Sequence, residues 1–369
     1  MRLKRFLAAL LSPCLCVTML AGCGAASSEA PSSDATAEEP QRYTTVFYDA
    51  FDTVTQLIAY CDSEEEFTAQ ADAIHEDLLE YHKLYDNYND YEGINNIKTI
   101  NDNAGIAPVQ VDDRILDMLE LSVEMNELTN GKMNIAMGSV LQIWHEYRDA
   151  ASAVSDEADN RLPTQEELEA AAEHCDINNV IIDREAGTVY LADPQMSLDV
   201  GSVGKGYAVE QICQAAKARG LQSASVSVGG NLRAIGTKPE NQSWTGGVEN
   251  PWDSSEYYTS GSSLVAAVYT SDMALVTSGD YQRYYVVDGV RYHHLIDPDT
   301  LWPAAYFDSV TILCGDSGLA DCLSTGLFCT PLEEGQAMIE SLDGVEALWC
   351  TTDGELIYSS GFNDYAIPQ

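Results

Sequence analysis

A chain of 369 residues, 45% of them hydrophobic, can bury a substantial core in one large domain or two modest ones. Its 18 Lys and Arg stand against 59 Asp and Glu, a formal net charge of −41. That charge excludes a general affinity for nucleic acid, whose phosphates it repels, so any phosphate ligand must be held by a metal, backbone N–H groups or a few basic side chains.

The N-terminus reads as a targeting segment. Arg2, Lys4 and Arg5 precede an apolar run from Phe6 to Ala21. An ordinary signal peptide or a short transmembrane helix is the plainer alternative, but the run is short for a span. It closes on Leu20-Ala21-Gly22-Cys23, a match to a bacterial lipobox. Residues 1–22 are therefore expected to be a lipoprotein signal peptide, with a lipid on Cys23 anchoring the protein at the extracytoplasmic face of the cell membrane. Residues 23–42, rich in Ala, Ser, Glu and Pro, read as a disordered tether, and the folded domain is expected over 43–369.

Within that domain, Thr53 to Tyr60 reads as a strand. Glu64 to Tyr88 carries Phe67, Ala71, Ile74, Leu78 and Tyr81 near helical spacing. A second helix is expected over Asp112 to Leu128, then a Thr129-Asn130-Gly131 turn, an apolar stretch, and a polar loop from Ala151 to Arg161. Pro163 to Cys175 predicts a third helix, with Thr164 as N-cap and Glu166 and Glu167 in its first turn. Val180–Asp183 and Thr188–Ala192 suggest a hairpin, and Tyr207–Arg219 a helix closed by Gly220. Further strands are expected at 223–228, 246–249, 264–269, 274–277, 284–287, 310–313, 347–350 and 356–358, with helices at 319–328 and 332–339. The mixture predicts an α+β or mixed α/β fold without internal repeats. The seven cysteines beyond Cys23 form no CxxC pair and no zinc spacing, and their odd number argues against a complete disulfide framework.

Several stretches have the composition of a site. "SLDVGSVGKGYA" (197–208) looks like a phosphate loop but is not a Walker A motif: Asp199 stands five positions before Gly204, and Gly206 follows Lys205. Its position between a strand and a helix allows backbone N–H groups of Gly204 and Gly206, with Lys205, to meet an anion; a plain turn is the alternative. In "SGLADCLSTGLF", Asp321 and Thr325 are spaced i, i+4, placing two oxygens on one helix face, a pairing suited to Mg²⁺. An exposed Asp and a Thr bonded back to its own helix would look the same. In "YHHLIDPDT", His293 and His294 face opposite ways if the segment is a strand, giving one core and one surface histidine. "VTSGDYQRYY" and "GGN" (229–231) are turns beside strands.

In this order, with "FDTVTQL" (51–57), "NIKTIN" (96–101), "TNGKMNIAMGSVLQIW" (129–144), "VSVGGNLRAIG" (226–236) and "HLIDP" (294–298), these stretches resemble the FAD:protein FMN transferases, the ApbE family of flavin transferases. The resemblance implies a single large α+β domain related to the T-fold. It implies that Phe51, Lys132, Met133, Asn134, Asp199, Lys205 and Leu295 lie on FAD. It assigns Mg²⁺ to Asp321 and Thr325, joined by Ser202 and Ser324, and catalytic roles to His294 and Asp199. Three departures stand out: Phe51-Asp52-Thr53 replaces the family's Met-Gly-Thr, Asn134 replaces an Asp, and Leu301 replaces a Gly, which is expected to alter that turn.

The implied reaction is Mg²⁺-dependent transfer of FMN from FAD to a Thr or Ser hydroxyl of an acceptor protein, with AMP leaving. The expected acceptor is a membrane redox protein. A Mg²⁺-dependent FAD pyrophosphatase would use the same residues, and a non-catalytic flavin-binding lipoprotein would share the tether; the Asp321–Thr325 pair speaks against the latter.

Overall fold

The computed structural model describes residues 39–153, 160–252 and 263–368. The signal segment and nearly all of the expected tether lie outside the described residues. The first strand, β1 (Gln41–Ala50), begins two residues inside the expected tether and pairs antiparallel with β2 (Thr53–Cys61). It went unpredicted because an edge strand alternates only between exposed and half-buried, a weak apolar signal.

After this hairpin come α1 (Glu64–Tyr85), α2 (Ile97–Asp102), β3 (Val109–Gln110) and α3 (Asp113–Leu128). Next are α4 (Gly138–Ala153) and α5 (Gln165–Ala172), then β4 (Val180–Asp183) and β5 (Thr188–Leu191). α6 (Gly204–Ala218) leads to β6 (Ala224–Val228) and β7 (Asn231–Ile235). β8 (Thr245–Glu249), β9 (Leu264–Tyr269), β10 (Ala274–Gly279), β11 (Tyr284–Val287), β12 (Val290–His293) and β13 (Phe307–Cys314) follow. The chain closes with α7 (Ser317–Phe328), α8 (Leu332–Glu340), β14 (Glu346–Thr351) and β15 (Leu356–Tyr358). The α+β expectation is borne out.

One antiparallel sheet of eight strands, ordered β1-β2-β6-β7-β10-β13-β14-β15, forms the backbone of the domain. On one face, α1 packs over β1 and β2, α6 over β6 and β7, and α7 over β10 and β13. β13 is almost wholly buried because both of its faces are covered: Val310, Ile312 and Cys314 pack under α7, while Leu313 joins Val248, Val265 and Val268 of β8 and β9. A smaller core of Met137, Val140, Trp144, Tyr285, Val287 and Leu301 joins α4 to the β11–β12 hairpin.

Local signals explain most helix ends. Ser63 caps α1, and Thr164 forms a reciprocal capping box with Glu167 at α5. α4 runs through to Ala153, into the segment expected to be a loop, and α6 begins at Gly204, one turn earlier than its apolar spacing suggests. All seven cysteines of the described residues are free, and six are buried, as packed thiols.

Two of the departures from the family pattern fall at left-handed backbone positions. Asp52 has φ 50° and Leu301 φ 66°, both left-handed, so each turn keeps the shape a glycine would adopt without strain. Leu301 is held there by its own amide, which donates to Asp297 O at 2.8 Å, and by the Trp144 indole N–H, which donates to its carbonyl at 3.0 Å.

Candidate active site

The N-terminus of α6 meets the first half of α7 side by side, with no room for side chains between them. A Cβ on Gly206 would overlap the Ser317 carbonyl and Asp321 Cβ, so glycine is required there for helix contact rather than for loop flexibility. The contact delivers the Asp321 carboxylate to the positive end of α6, where Gly206 N–H donates to its Oδ2 at 2.8 Å. Gly204 N–H is spent on Val200 O. These two amides are thus not open to an anion, and the cation left to meet one is Lys205.

Lys205 Nζ stands 4.0 Å from Asp321 Oδ2 and 3.5 Å from Asn231 Oδ1. The other Asn231 atom, Nδ2, is buried without a hydrogen-bond partner among the described residues, as is Thr55 Oγ1. The two flank Val228 in the β2–β6–β7 register, which leaves a polar corner beside Lys205 with unsatisfied capacity. Along α7, Ser278 Oγ lies 2.8 Å from Ser324 Oγ and 3.3 Å from Thr325 Oγ1. Ser324 is fully buried and donates to Asp321 O, so its hydroxyl is committed, while Thr325 is half-buried. Ser202 sits half-buried in the turn before α6.

Asp199 opens that turn. Its Oδ1 accepts from Gly201 N–H at 2.9 Å, and its backbone is tied to Ile135 O. Its charge is felt by Tyr88 and by His145, whose pKa is held below the ordinary histidine value chiefly by burial. The two neighbours join each other: Tyr88 Oη lies 3.2 Å from His145 Nδ1.

The paired histidines separate as the alternation requires. His293 is a core residue whose Nε2 lies 2.9 Å from Ala304 O and whose Nδ1 accepts from Leu295 N–H, so both nitrogens are satisfied in the neutral form. Burial lowers its pKa to about 4. His294 is half-buried at the foot of the hairpin, with Nδ1 3.3 Å from Arg283 O. A carbonyl can only accept, so Nδ1 carries the proton and Nε2 keeps a free lone pair. Burial first, then the Arg283 and Lys205 cations nearby, lower its pKa to about 3.

Five predicted FAD contacts have other occupations. Lys132 Nζ clamps Asp297 at 2.7 Å and Asp299 at 2.8 Å, bracing the turn that follows His294. Asn134 spends Oδ1 on Ala136 N–H and Nδ2 on Cys175 O. The Met133 and Leu295 side chains are buried in the core. Phe51 is half-buried, edge-on to His82. The structure thus gathers Lys205, Asp321, Ser324 and Thr325, and adds Asn231 and Ser278, which the sequence showed only as turn residues. Among the described residues no group of three or more His, Cys, Asp or Glu side chains is placed to hold a metal alone. One carboxylate flanked by hydroxyls does suit a hard ion that keeps several waters of its own.

The fold is an α+β domain whose helix pair sets a carboxylate, a lysine and a row of hydroxyls in one cluster. The ApbE family model matches residues 51–349, and the chain belongs to that family. It is 33% identical over 284 residues to the FAD:protein FMN transferase of Treponema pallidum, covering 73% of this chain and 74% of that protein. The FAD:protein FMN transferase of Klebsiella pneumoniae is 28% identical over 265 residues, 72% of this chain and 77% of that protein. The crystal structure of the ApbE protein from Thermotoga maritima superposes with a TM-score of 0.75 at 29% identity, over 89% of this chain and all of that one.

Proposed function

We propose that this transferase moves the FMN moiety of FAD onto a Thr or Ser hydroxyl of an acceptor protein and releases AMP. The observation that carries this reading is the packing of α6 on α7, which sets Asp321, Lys205 and the Thr325–Ser278 hydroxyls together. Lys205 and the unsatisfied Asn231 Nδ2 bind the pyrophosphate. Asp321 and Thr325, with Ser202, would hold Mg²⁺, which would offset the phosphate charge and ease departure of AMP. Ser324 supports them from the buried side.

The acceptor oxygen bonds to the phosphorus on the FMN side, and the bond from that phosphorus to the AMP phosphate oxygen breaks. The hydroxyl proton passes to the free Nε2 of His294. Burial, with Arg283 and Lys205 beside it, makes His294 a weak base in the free protein. Arrival of the anionic pyrophosphate beside Lys205 counters the electrostatic part of that shift and so raises its basicity. Asp199, already oriented by Gly201 N–H, serves as a hydrogen-bond acceptor to FAD.

Incubation with FAD, Mg²⁺ and a candidate acceptor should give AMP in step with flavin fluorescence that stays with the denatured acceptor. Release of free FMN instead would establish a pyrophosphatase. EDTA and Asp321→Ala should each remove most turnover while the far-UV spectrum is kept. Wild-type rates under both conditions would sink the metal assignment.

We further propose that the acceptor is a membrane redox protein and that a lipid on Cys23 holds this enzyme beside it, on the extracytoplasmic face. The motivation is the Leu20–Cys23 lipobox. Among the described residues no helix is long and apolar enough to cross a membrane. Mass spectrometry should find diacylglycerol on Cys23 and unprocessed precursor in Cys23→Ser; a lipid-free Cys23 in the native protein refutes the anchor.

A further inference from the structure

A cavity of about 10 Å³ lies between α4 and the β11–β12 hairpin, lined by Trp144, His145, Arg148, Tyr285 and His294 among others. Tyr285 is 7% exposed, and its hydroxyl has no hydrogen-bond partner among the described residues. Burial raises its phenol pKa, so the group stays an uncharged donor and acceptor. A buried hydroxyl without a partner costs free energy. The space is that of one water, about 10–15 Å³, and such a water needs two to four polar partners.

The neighbouring groups offer a complementary set. Tyr88 Oη lies 3.2 Å from His145 Nδ1. His294 turns Nδ1–H to Arg283 O and leaves Nε2 bare. The lining therefore supplies an acceptor from His294 and, in Tyr285, a hydroxyl that donates or accepts, with the His145 ring beside them.

We propose that this cavity holds one ordered water bonded to the Tyr285 hydroxyl, and that Tyr285 acts through it as a positioning residue for His294. The water donates to Nε2 and fixes the imidazole ring until the acceptor hydroxyl arrives. Once the flavinylated acceptor has left, it takes the proton from Nε2 and passes one on to solvent, which returns His294 to its neutral form. This rests on the reading of His294 as the base.

The test is Tyr285→Phe in the full chain. If the hydroxyl is satisfied by water, its removal lowers Tm by about 2 °C, and the kcat of flavin transfer falls about tenfold, as for loss of an orienting partner. The KM for FAD stays the same, and a crystal structure of the wild-type protein shows water within hydrogen-bond distance of Tyr285 Oη. A rise in Tm overturns the proposal, because deleting an orphan hydroxyl from a dry cavity relieves a cost. An unchanged kcat overturns the positioning role. Retention of transfer by His294→Ala would instead remove the base assignment, whatever the Tm and water measurements give.

Discussion

His294→Ala is expected to slow flavin transfer by about 10²–10⁴, the usual cost of losing one general base. FAD affinity should change little, because Lys205, Asn231 and the α6–α7 contact are untouched. The distinction follows from position: His294 sits at the foot of the hairpin, bonded to the Arg283 carbonyl, and not on the helix pair proposed to hold the phosphates. His293→Ala gives the contrasting result. That ring bonds Ala304 O and Leu295 N–H against Phe328, so its loss should lower stability and leave the chemical step of the folded enzyme close to normal. Single-turnover flavinylation and FAD titration on both variants decide the matter. Equal losses in binding and transfer for His294→Ala would make it a FAD contact and end its assignment as base.

The second large effect is structural. Glu210 is buried on α6 and accepts from Arg233 Nε at 2.8 Å, Ser317 N–H at 2.9 Å and Gln214 Nε2 at 2.6 Å. It joins α6 to β7 and to the first turn of α7, the turn that carries Asp321 toward Gly206. Glu210→Ala leaves the Arg233 guanidinium buried without its counter-charge and Ser317 N–H without an acceptor. Breaking a buried pair on one side costs about 3–5 kcal/mol. Urea unfolding should show a loss of that size, with a matching drop in Tm; a loss under about 1 kcal/mol, the range of exposed pairs, would contradict the account. Replacing both partners, as in Glu210→Met with Arg233→Met, should recover much of the loss, since no buried charge then remains.

The same pair sets a pH dependence. Burial alone would raise the Glu210 carboxyl, but the bonds from Arg233, Gln214 and Ser317 outweigh it and leave the pKa below the ordinary glutamate value. The stabilisation is therefore complete above that ordinary value and is lost as pH falls through the depressed folded one. His293 and His294 act in the same direction, because both are neutral in the fold and gain protons more readily when unfolded. Acid should destabilise the protein from about the ordinary histidine pKa downward, near 6.5, and urea midpoints between pH 7 and 4 should fall steadily.

What the sequence determined by itself was whatever depends on neighbours along the chain. The acidic charge excluded nucleic acid. Helical spacing placed α1, α3, α6 and α7 to within a turn, and the i, i+4 relation of Asp321 and Thr325 placed both on one helix face, because α-helix geometry is the same everywhere. Alternation in a strand separated the two histidines. The tertiary structure decided which of them is buried, since that depends on Phe328 and Ala304 packing against one side of the hairpin. It also decided that Gly206 serves a helix contact, that Lys132 braces the Asp297 turn, and that Ser278 and Asn231 complete the cluster. Ser278 comes from β10 and Asn231 from β7, strands far from α7 in sequence, and only sheet pairing and the packing of α6 on α7 bring their side chains to one place.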